Sequence, residues 1–589
     1  MILHPRHWGR DPLVRAGLLL LAVQTVWRGA IAFDSYFWQD DFVFLSAVNH
    51  EGLTVDLLLQ RWNGHLVPAK YVMAALVAPA GPDYGPAAMS IIALGAIASG
   101  LMLWMLCLLF PGRRLLLVAY AAYLFTPLGL VGVTWWTFAM EGLPMQVAMF
   151  GVTGSYLAWR RSRAHRWVWT GLAALALGLA FWEKSILAVV FAVGVAALVV
   201  DATASVRSRL VALWQSERGF WLPQAVVVIG YAAAYVTERA ARSSSAVVDG
   251  PQFVTDAVGR TLLTGLVGGP WTDTGADNTL FGVPASWALV LTVVGWVWLI
   301  AWTVRSRGPA AIRAWTLALA YLALALGLVL WQRAGLSNFL ARDPRYVLDA
   351  VPVVLVAMMG ALVPGPRSQG TEPSTADGDA VTLVEERYTP ILVVALLASA
   401  WVSTTALLPT LQHGYSRSFV ASLEDSLATE QDVSIVDAPA PPTQVLIQPV
   451  SVVFSAMGFP AVWNQPSTDL RIVDGLGRLA SVDIPRPSFQ QRGPDGGCWL
   501  VGGDRPALKL TTSVTAPGRV QVLRIGYIAE NPVELTVQVD GQQARLSTVD
   551  RVGHAFLVVR SARTMSVDAI GGRPACVSDV AIGDPWPSP

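Results

Sequence analysis

The chain has 589 residues, 54% of them hydrophobic and only 14% charged, with a formal net charge of +1. Soluble proteins carry roughly 25% charged residues, so a wholly soluble fold is excluded, and the balanced charge offers no electrostatic footprint for nucleic acid. The charges gather in islands between apolar runs of about 20 residues, the length that crosses the hydrocarbon core of a bilayer.

Eleven such spans are predicted in chain order: 14–33, 86–110, 115–134, 142–159, 167–182, 185–200, 220–237, 284–304, 314–331, 347–363 and 390–408. The first is not read as a cleaved leader, because no small-residue cleavage site follows it and Trp27 and Arg28 interrupt its centre. Arg6, Arg10 and Arg15 precede it, and later connections on the same side hold Arg113 and Arg114, Arg160 to Arg166, Arg207 to Arg218, and Arg305 to Arg313. The positive-inside rule makes that side cytoplasmic. Loops 34–85, 135–141, 183–185, 238–283 and 332–346, and everything after 408, then face outward. Within 34–85, "GLTVDLLLQRW" presents Leu57, Leu58 and Trp62 as an amphipathic stretch suited to the membrane surface. The Pro/Gly/Ser-rich 364–389 segment reads as a cytoplasmic linker.

Two domains are expected, a membrane domain at 1–411 and an extracytoplasmic domain at 412–589. In the latter, helical "SFVASLEDSLATE" gives way to the apolar, β-branched run "QVLIQPVSVVF". Beyond about residue 500, "ALKLTTSV", "RVQVLRIGYI", "VELTVQV", "HAFLVVRS" and "TMSVDAI" alternate as short strands, with "VDGQQ" supplying an Asp-Gly turn. That spacing predicts a β-sandwich, which would serve equally as a carbohydrate-binding module, a lid or a spacer. Of the three cysteines, Cys107 lies in an apolar run, and Cys498 and Cys576 would pair in an oxidising compartment.

Ionisable residues crowd the outward loops. "SYFWQDDFVFLS" sets Asp40 and Asp41 side by side just past the first span, and "NGHLVPAKY" follows with His65. Glu141 stands in "WWTFAMEGLP", Glu183 and Lys184 in "FWEKS", Asp273 and Asp277 in "PWTDTGADN". "NFLARDPRYVLD" adds Arg342, Asp343, Arg345 and Tyr346. Singly, each has an ordinary reading: a solvated acidic turn, a local ion pair, an interfacial anchor, a hydrogen-bonded loop histidine or a helix-end carboxylate. Their convergence on one leaflet points to chemistry at the membrane surface.

This order of spans, with a long first outer loop opening on "QDDF" and an outer C-terminal domain, resembles the GT-C superfamily of integral-membrane glycosyltransferases. Over residues 14–408 the likeness rests on span and loop order and on the acidic pair. The C-terminal domain adds a similarity to actinobacterial cell-wall arabinosyl- and mannosyltransferases. The resemblance implies a polytopic all-α membrane domain plus a mainly-β, sandwich-like outer domain, in a multi-pass plasma-membrane protein. It implies sugar transfer from a polyprenyl-phosphate donor to an extracytoplasmic glycan or glycolipid, inverting the anomeric centre. An acidic residue of the first outer loop would act as general base, because a sugar hydroxyl is a poor nucleophile until a carboxylate takes its proton. Repulsion between Asp40 and Asp41, and partial desolvation, raise the pKa of one of them; relatives in the superfamily favour the first, Asp40. Arg342, Arg345 and Lys184 would meet the departing lipid phosphate, with Glu141, Glu183, His65 and Tyr346 in support. No cofactor is demanded, although Asp40 and Asp41 would hold a divalent ion, Mg or Mn, in the families that use one.

The main competing reading is a transporter or flippase for a lipid-linked glycan. Transporters carry charged or helix-breaking residues deep in their spans, whereas here Arg28 is the main such exception. A membrane-anchored sugar-binding scaffold would not need eleven spans. A ligase moving a whole glycan shares the lipid-phosphate chemistry and stays open.

Overall fold

A computed structural model describes residues 11–199, 206–236, 250–271, 283–333, 338–363, 375–430, 433–439, 445, 448–494, 497–515, 519–549, 551–570 and 573–588. Asp273 and Asp277 fall outside the described residues, as do Arg6, Arg10 and residues 364–374 of the predicted linker. The chain divides into two compact units, one of residues 1–36 and 53–413, the other of 37–52 and 414–589.

The first unit is helical. Every predicted span overlaps a helix: Pro12–Phe33, Gly85–Leu109, the broken pair Leu116–Phe125 and Val131–Thr134, Trp136–Ser162, Arg166–Phe181, Leu187–Val199, Val206–Val236, Ser286–Arg307, Pro309–Arg333, Ala350–Leu362 and Thr375–Leu411. Among the described residues, five stretches are long and apolar enough to cross a membrane alone: Pro12–Phe33, Gly85–Leu109, Ser286–Arg307, Pro309–Leu330 and Arg387–Thr429. The pair Leu116–Phe125 and Pro127–Thr134, bent by 41°, makes a sixth if it is one span. Pro127 causes that break, since a proline cannot donate to the preceding turn. Ala350–Leu362 has 13 residues, about 20 Å of helix against a hydrocarbon core of about 30 Å. Trp136–Ser162 is long enough but carries Glu141, Arg160 and Arg161.

Trp136–Ser162 is deeply buried, with every residue from Gln146 to Trp159 enclosed. Glycine allows this. A Cβ on Gly151 would lie 2.6 Å from the Cβ of Ala174, and one on Gly154 would overlap the Trp104 ring. Small residues at such crossings let helix backbones approach closely.

Residues 53–85 are only partly a surface stretch. Leu57 is fully buried, while Leu53, Val55 and Leu59 are exposed. The helix there runs only over Val55–Leu59. Trp62 belongs to a two-strand hairpin that pairs it with His65 across Asn63 and Gly64. Both turn residues take positive φ, 49° and 84°, the pattern of an Asn-Gly hairpin turn.

The second unit contains the acidic helix Asp40–Glu51, the helices Gly414–Thr429 and Val450–Met457, and all the longer strands. Part of the β-branched run is therefore helix. Val450, Val453, Phe454 and Met457 are all buried, and their i, i+3, i+4, i+7 spacing is that of one helical face. This helix forms the crossover between the parallel strands Ser434–Ile435 and Val462–Trp463. Helix Asp40–Glu51 packs beside it: Asn49 Nδ2 donates to the Ser455 carbonyl at 2.8 Å, and the Gln39 N–H donates to the Val445 carbonyl at 3.0 Å.

Leu470–Val473, Leu479–Asp483 and Trp586–Pro587 extend Ser434–Ile435 and Val462–Trp463 into a five-stranded mixed sheet, and the other strands of this unit form two antiparallel sheets. One runs Val552–Val559, Gln521–Ile528, Ala575–Gly583, Pro487–Arg492, with Trp499–Val501 also on Ala575–Gly583. The other runs Gln542–Ser547, Glu534–Val539, Ser561–Ile570, Leu508–Thr515. Leu523, Ile525 and Tyr527 of the first share a core with Leu535, Val537 and Val567 of the second, which makes the predicted sandwich. Asp540 and Gly541, at φ 49° and 86°, form the expected turn. Cys498 and Cys576 are joined by a disulfide, their Cα atoms 5.5 Å apart.

Candidate functional site

The Asn63-Gly64 turn fixes where His65 projects. Its Nδ1 lies 2.6 Å from Oε1 of Glu183. Glu183 opens a short 3-10 turn, Glu183–Ile186, at the end of Arg166–Phe181. Glu183 is 8% exposed, and its Oε2 has no hydrogen-bond partner. Pro68 then starts helix Pro68–Val77 and puts Lys70 in its first turn, a position proline favours because its missing N–H is not needed there. Lys70 is buried and its ammonium donates to Glu141. Glu141 is also within electrostatic reach of His65 and Arg345. Four loops or helix ends therefore meet around one carboxylate.

A second pair stands beside Glu183. Lys184 Nζ donates to Asp349 Oδ1 at 2.7 Å and to the Tyr346 carbonyl at 3.4 Å. It also lies 5.3 Å from the centre of the Trp182 ring. Asp349 takes a further hydrogen bond from the Tyr321 hydroxyl at 3.0 Å. Arg345 is held by Asp343 twice over: Nε donates to Oδ2 at 2.6 Å, and the backbone N–H to Oδ1 at 3.0 Å. Its guanidinium lies over Trp135 at 4.4 Å and Tyr346 at 5.7 Å. Burial opposes the charge on Arg345, but the Asp343 carboxylate more than offsets it, so the pKa lies above its ordinary value and the cation persists at any physiological pH.

Arg342 belongs to a different pairing. Its Nε is 3.8 Å from Asp256, which also accepts from Arg260 at 2.9 Å. Asp256 lies in a π-helical stretch, Thr255–Leu263, a local widening frequent at functional sites.

Asp40 and Asp41 occupy the first turn of helix Asp40–Glu51 in the other unit. Negative charge there meets the positive end of the helix dipole. Asp41 is fully buried and its Oδ2 accepts the Trp38 N–H at 2.9 Å, whereas Asp40 is partly exposed. Gln39, directly before them, has φ 49° and ψ −113°. That conformation is costly for a side-chain-bearing residue and clusters at functional segments. The two carboxylates offer a divalent ion two ligand groups, and among the described residues no group of three His, Cys, Asp or Glu is positioned to hold one. A dedicated metal cage does not fit that donor set; an ion shared with a substrate phosphate needs only one or two carboxylates.

Of the sequence-predicted residues, His65, Glu141, Glu183, Lys184, Arg345 and Tyr346 thus share one network in the helical unit. Lys70, Asp349, Asp343, Tyr321 and Trp135 complete it and were not singled out as site residues from sequence. Asp349 did leave a signal: it stands immediately before the apolar run Ala350–Leu362, where a helix N-terminus is marked by Asp. Lys70 followed a helix-starting proline, but nothing local pointed it at Glu141.

No protein-family model and no curated protein matches the chain. Among solved structures it is similar to ArnT from Cupriavidus metallidurans bound to undecaprenyl phosphate, at 14% identity and TM-score 0.42 over 76% of this chain and 85% of that one. The apo state of the same protein gives 16% identity and TM-score 0.41 over the same shares. The arabinosyltransferase EmbB from Mycobacterium smegmatis gives 11% identity and TM-score 0.29, over all of this chain and 66% of that one.

Proposed function

We propose that the chain is a membrane glycosyltransferase of GT-C type, moving a sugar from a polyprenyl-phosphate donor to an extracytoplasmic glycan or glycolipid. The observation that carries this reading is the network in which Lys70, Lys184 and Arg345 are each held by a carboxylate at the ends of membrane helices. Burying that many charges is costly and unnecessary for anchoring. The cations suit a leaving group that departs as a lipid phosphate. An arginine has five N–H donors in a fixed fork, so Arg345 keeps donors for phosphate oxygens while Asp343 orients it. Lys184 supplies a second positive charge, tethered by Asp349 and the Tyr346 carbonyl.

In this reading Asp40 is the general base and Asp41 its positioning residue. Asp41 is enclosed and committed to the Trp38 N–H, whereas Asp40 is the more accessible of the two. As the acceptor hydroxyl attacks the anomeric carbon, its proton passes to the Asp40 carboxylate while the bond to the phosphate oxygen breaks. A single displacement of this kind inverts the anomeric centre. The disulfide Cys498–Cys576 supports an oxidising, extracytoplasmic location for the C-terminal domain, and the Arg-rich connections support a cytoplasmic N-terminus. The plasma membrane satisfies both.

The test is transfer by purified protein in nanodiscs, offered polyprenyl-phosphate sugars and candidate glycan acceptors. Asp40→Asn is expected to lower the rate about 10²- to 10⁴-fold, the usual contribution of a general base, with the fold intact by gel filtration. Wild-type turnover in a folded Asp40→Asn variant would remove Asp40 from the mechanism. Chelation is the second arm: loss of activity with EDTA, restored by Mg or Mn, would assign Asp40, Asp41 and the donor phosphate as ligands of a shared ion. Glycan movement across the bilayer without transfer would favour the flippase reading instead.

A further inference from the structure

Arg28 lies in the first membrane helix, Pro12–Phe33, five residues and therefore about 8 Å short of its C-terminal end at a rise of 1.5 Å per residue. An arginine at such a depth normally extends its guanidinium to the interface. This one does not: the residue is 5% exposed, and Nη2 donates to the Thr126 carbonyl at 2.7 Å. Its Nε and Nη1 are buried and have no hydrogen-bond partner, and among the described residues no carboxylate pairs with it. Buried donors without partners are rare because each forfeits its solvation, and an uncompensated charge in a membrane span is more costly still.

Beside Arg28 is a cavity of about 70 Å³, lined also by Gln24, Ser99, Tyr123 and Gln146 and by no acidic side chain. A cavity needs roughly 10–15 Å³ in this measure per water, so the space accepts a group of roughly five to seven heavy atoms, the size of a phosphate or a carboxylate with its attachment. The backbone keeps it open. Gly95 lines it, and a Cβ there would meet nothing within 4 Å; a Cβ on Gly129 would lie 3.4 Å from Nη2 of Arg28. None of the paired residues His65, Lys70, Glu141, Glu183, Lys184, Asp349, Asp343 and Arg345 lines this cavity.

We propose that the Arg28 cavity is a binding site within the membrane for a singly or doubly charged oxyanion, a phosphate above all, which accepts from an unpartnered N–H of the Arg28 guanidinium. The guanidinium charge and a free N–H match an oxygen of such a group, and Gln146 and Ser99 offer further polar contacts. The anion is either the head group of an acidic lipid that reaches between the helices or a free anion. This site does not depend on the transfer reading, and it would stand if that reading failed.

Two measurements test it on the full chain in detergent. Native mass spectrometry follows retention of phosphatidylglycerol against phosphatidylcholine from vesicles of equal parts of each, and melting is followed against inorganic phosphate. Wild type is expected to prefer phosphatidylglycerol, or to be stabilised by phosphate, with about a tenfold advantage, the factor one charge-assisted hydrogen bond corresponds to. Arg28→Gln removes the charge and the guanidinium, and Gly95→Leu fills the cavity with every charge unchanged; both are expected to abolish the response. Response in the lipid arm alone assigns a lipid head group, and response to phosphate alone assigns a free anion. The proposal is overturned if wild type responds in neither arm, or if a folded Gly95→Leu variant responds as wild type does. Should Arg28→Gln fail to fold, Gly95→Leu decides the question by itself.

Discussion

In the helical unit, Lys184 and Asp349 pair with side chains 8% and 3% exposed, and His65 and Glu183 with side chains 16% and 10% exposed. In the β-rich unit, Arg478 and Asp474 pair at 62% and 14%, and Arg545 and Glu534 at 67% and 40%. The contacts are of the same chemical kind, but their consequences differ. An exposed pair gives up little hydration and gains little, typically about 0–1 kcal/mol. A buried pair gives up several kcal/mol per ion and is kept only when geometry and further hydrogen bonds repay it. The exposed pairs therefore call for no function, whereas the charges hidden in the helical unit, like the buried Asp41 of the other unit, do.

The largest expected effect on stability is at Asp349. Its truncation to Ala leaves Lys184 without its carboxylate and Tyr321 without its acceptor, and should destabilise the protein by about 3–5 kcal/mol, read as a lower midpoint in chemical unfolding. A loss under about 1 kcal/mol would mean that the pair is solvated after all and would break the contrast between the units. Next comes Cys498→Ser. Cys498 and Cys576 are 78 residues apart, and opening a loop of that size typically costs about 2–4 kcal/mol. The effect should appear in the β-rich unit, as earlier proteolysis around residues 497–588, and an unchanged cleavage rate would show that the sandwich core suffices without its crosslink.

A smaller effect depends on pH. Burial works against the ionised Asp474, but the N–H groups of Arg478 and Leu476 and the Arg478 guanidinium outweigh it, so its pKa lies below the ordinary carboxylate value. A depressed folded pKa adds stability that is present above the unfolded value, about 3.9, and is lost as pH falls through the folded value. The melting difference between wild type and Asp474→Asn should therefore shrink on acidification below that range, and a constant difference would assign the effect to shape rather than charge. Smallest of all, Arg545→Ala should change stability by less than about 1 kcal/mol. A larger loss would show that exposed pairs in this sandwich do more than their exposure suggests.

Much of the architecture was legible along the chain because it is written in local periodicity. Each apolar run became a helix, and "VDGQQ" became the Asp540-Gly541 turn. Composition was less informative where it was ambiguous: β-branched Val450, Val452 and Val453 lie in a helix because the spacing of the buried faces outweighed intrinsic preference. Of the site, the sequence marked the ionisable residues near helix ends but not their partners. Lys184 and Asp349 are 165 residues apart, His65 and Glu183 are 118 apart, and Lys70 and Glu141 are 71 apart.

By itself the sequence determined the membrane character of the chain, the alternation of apolar run and charged island, and the C-terminal β-rich module, since these follow from hydrophobic burial and residue period. Only the tertiary structure decided which cation meets which carboxylate, that Arg28 lies beside a cavity with two donors unused, and that helix Asp40–Glu51 groups with the C-terminal unit. Helix packing brings together groups far apart in the chain, and the strength of a charge–charge contact is set by its burial, which no local pattern of residues encodes.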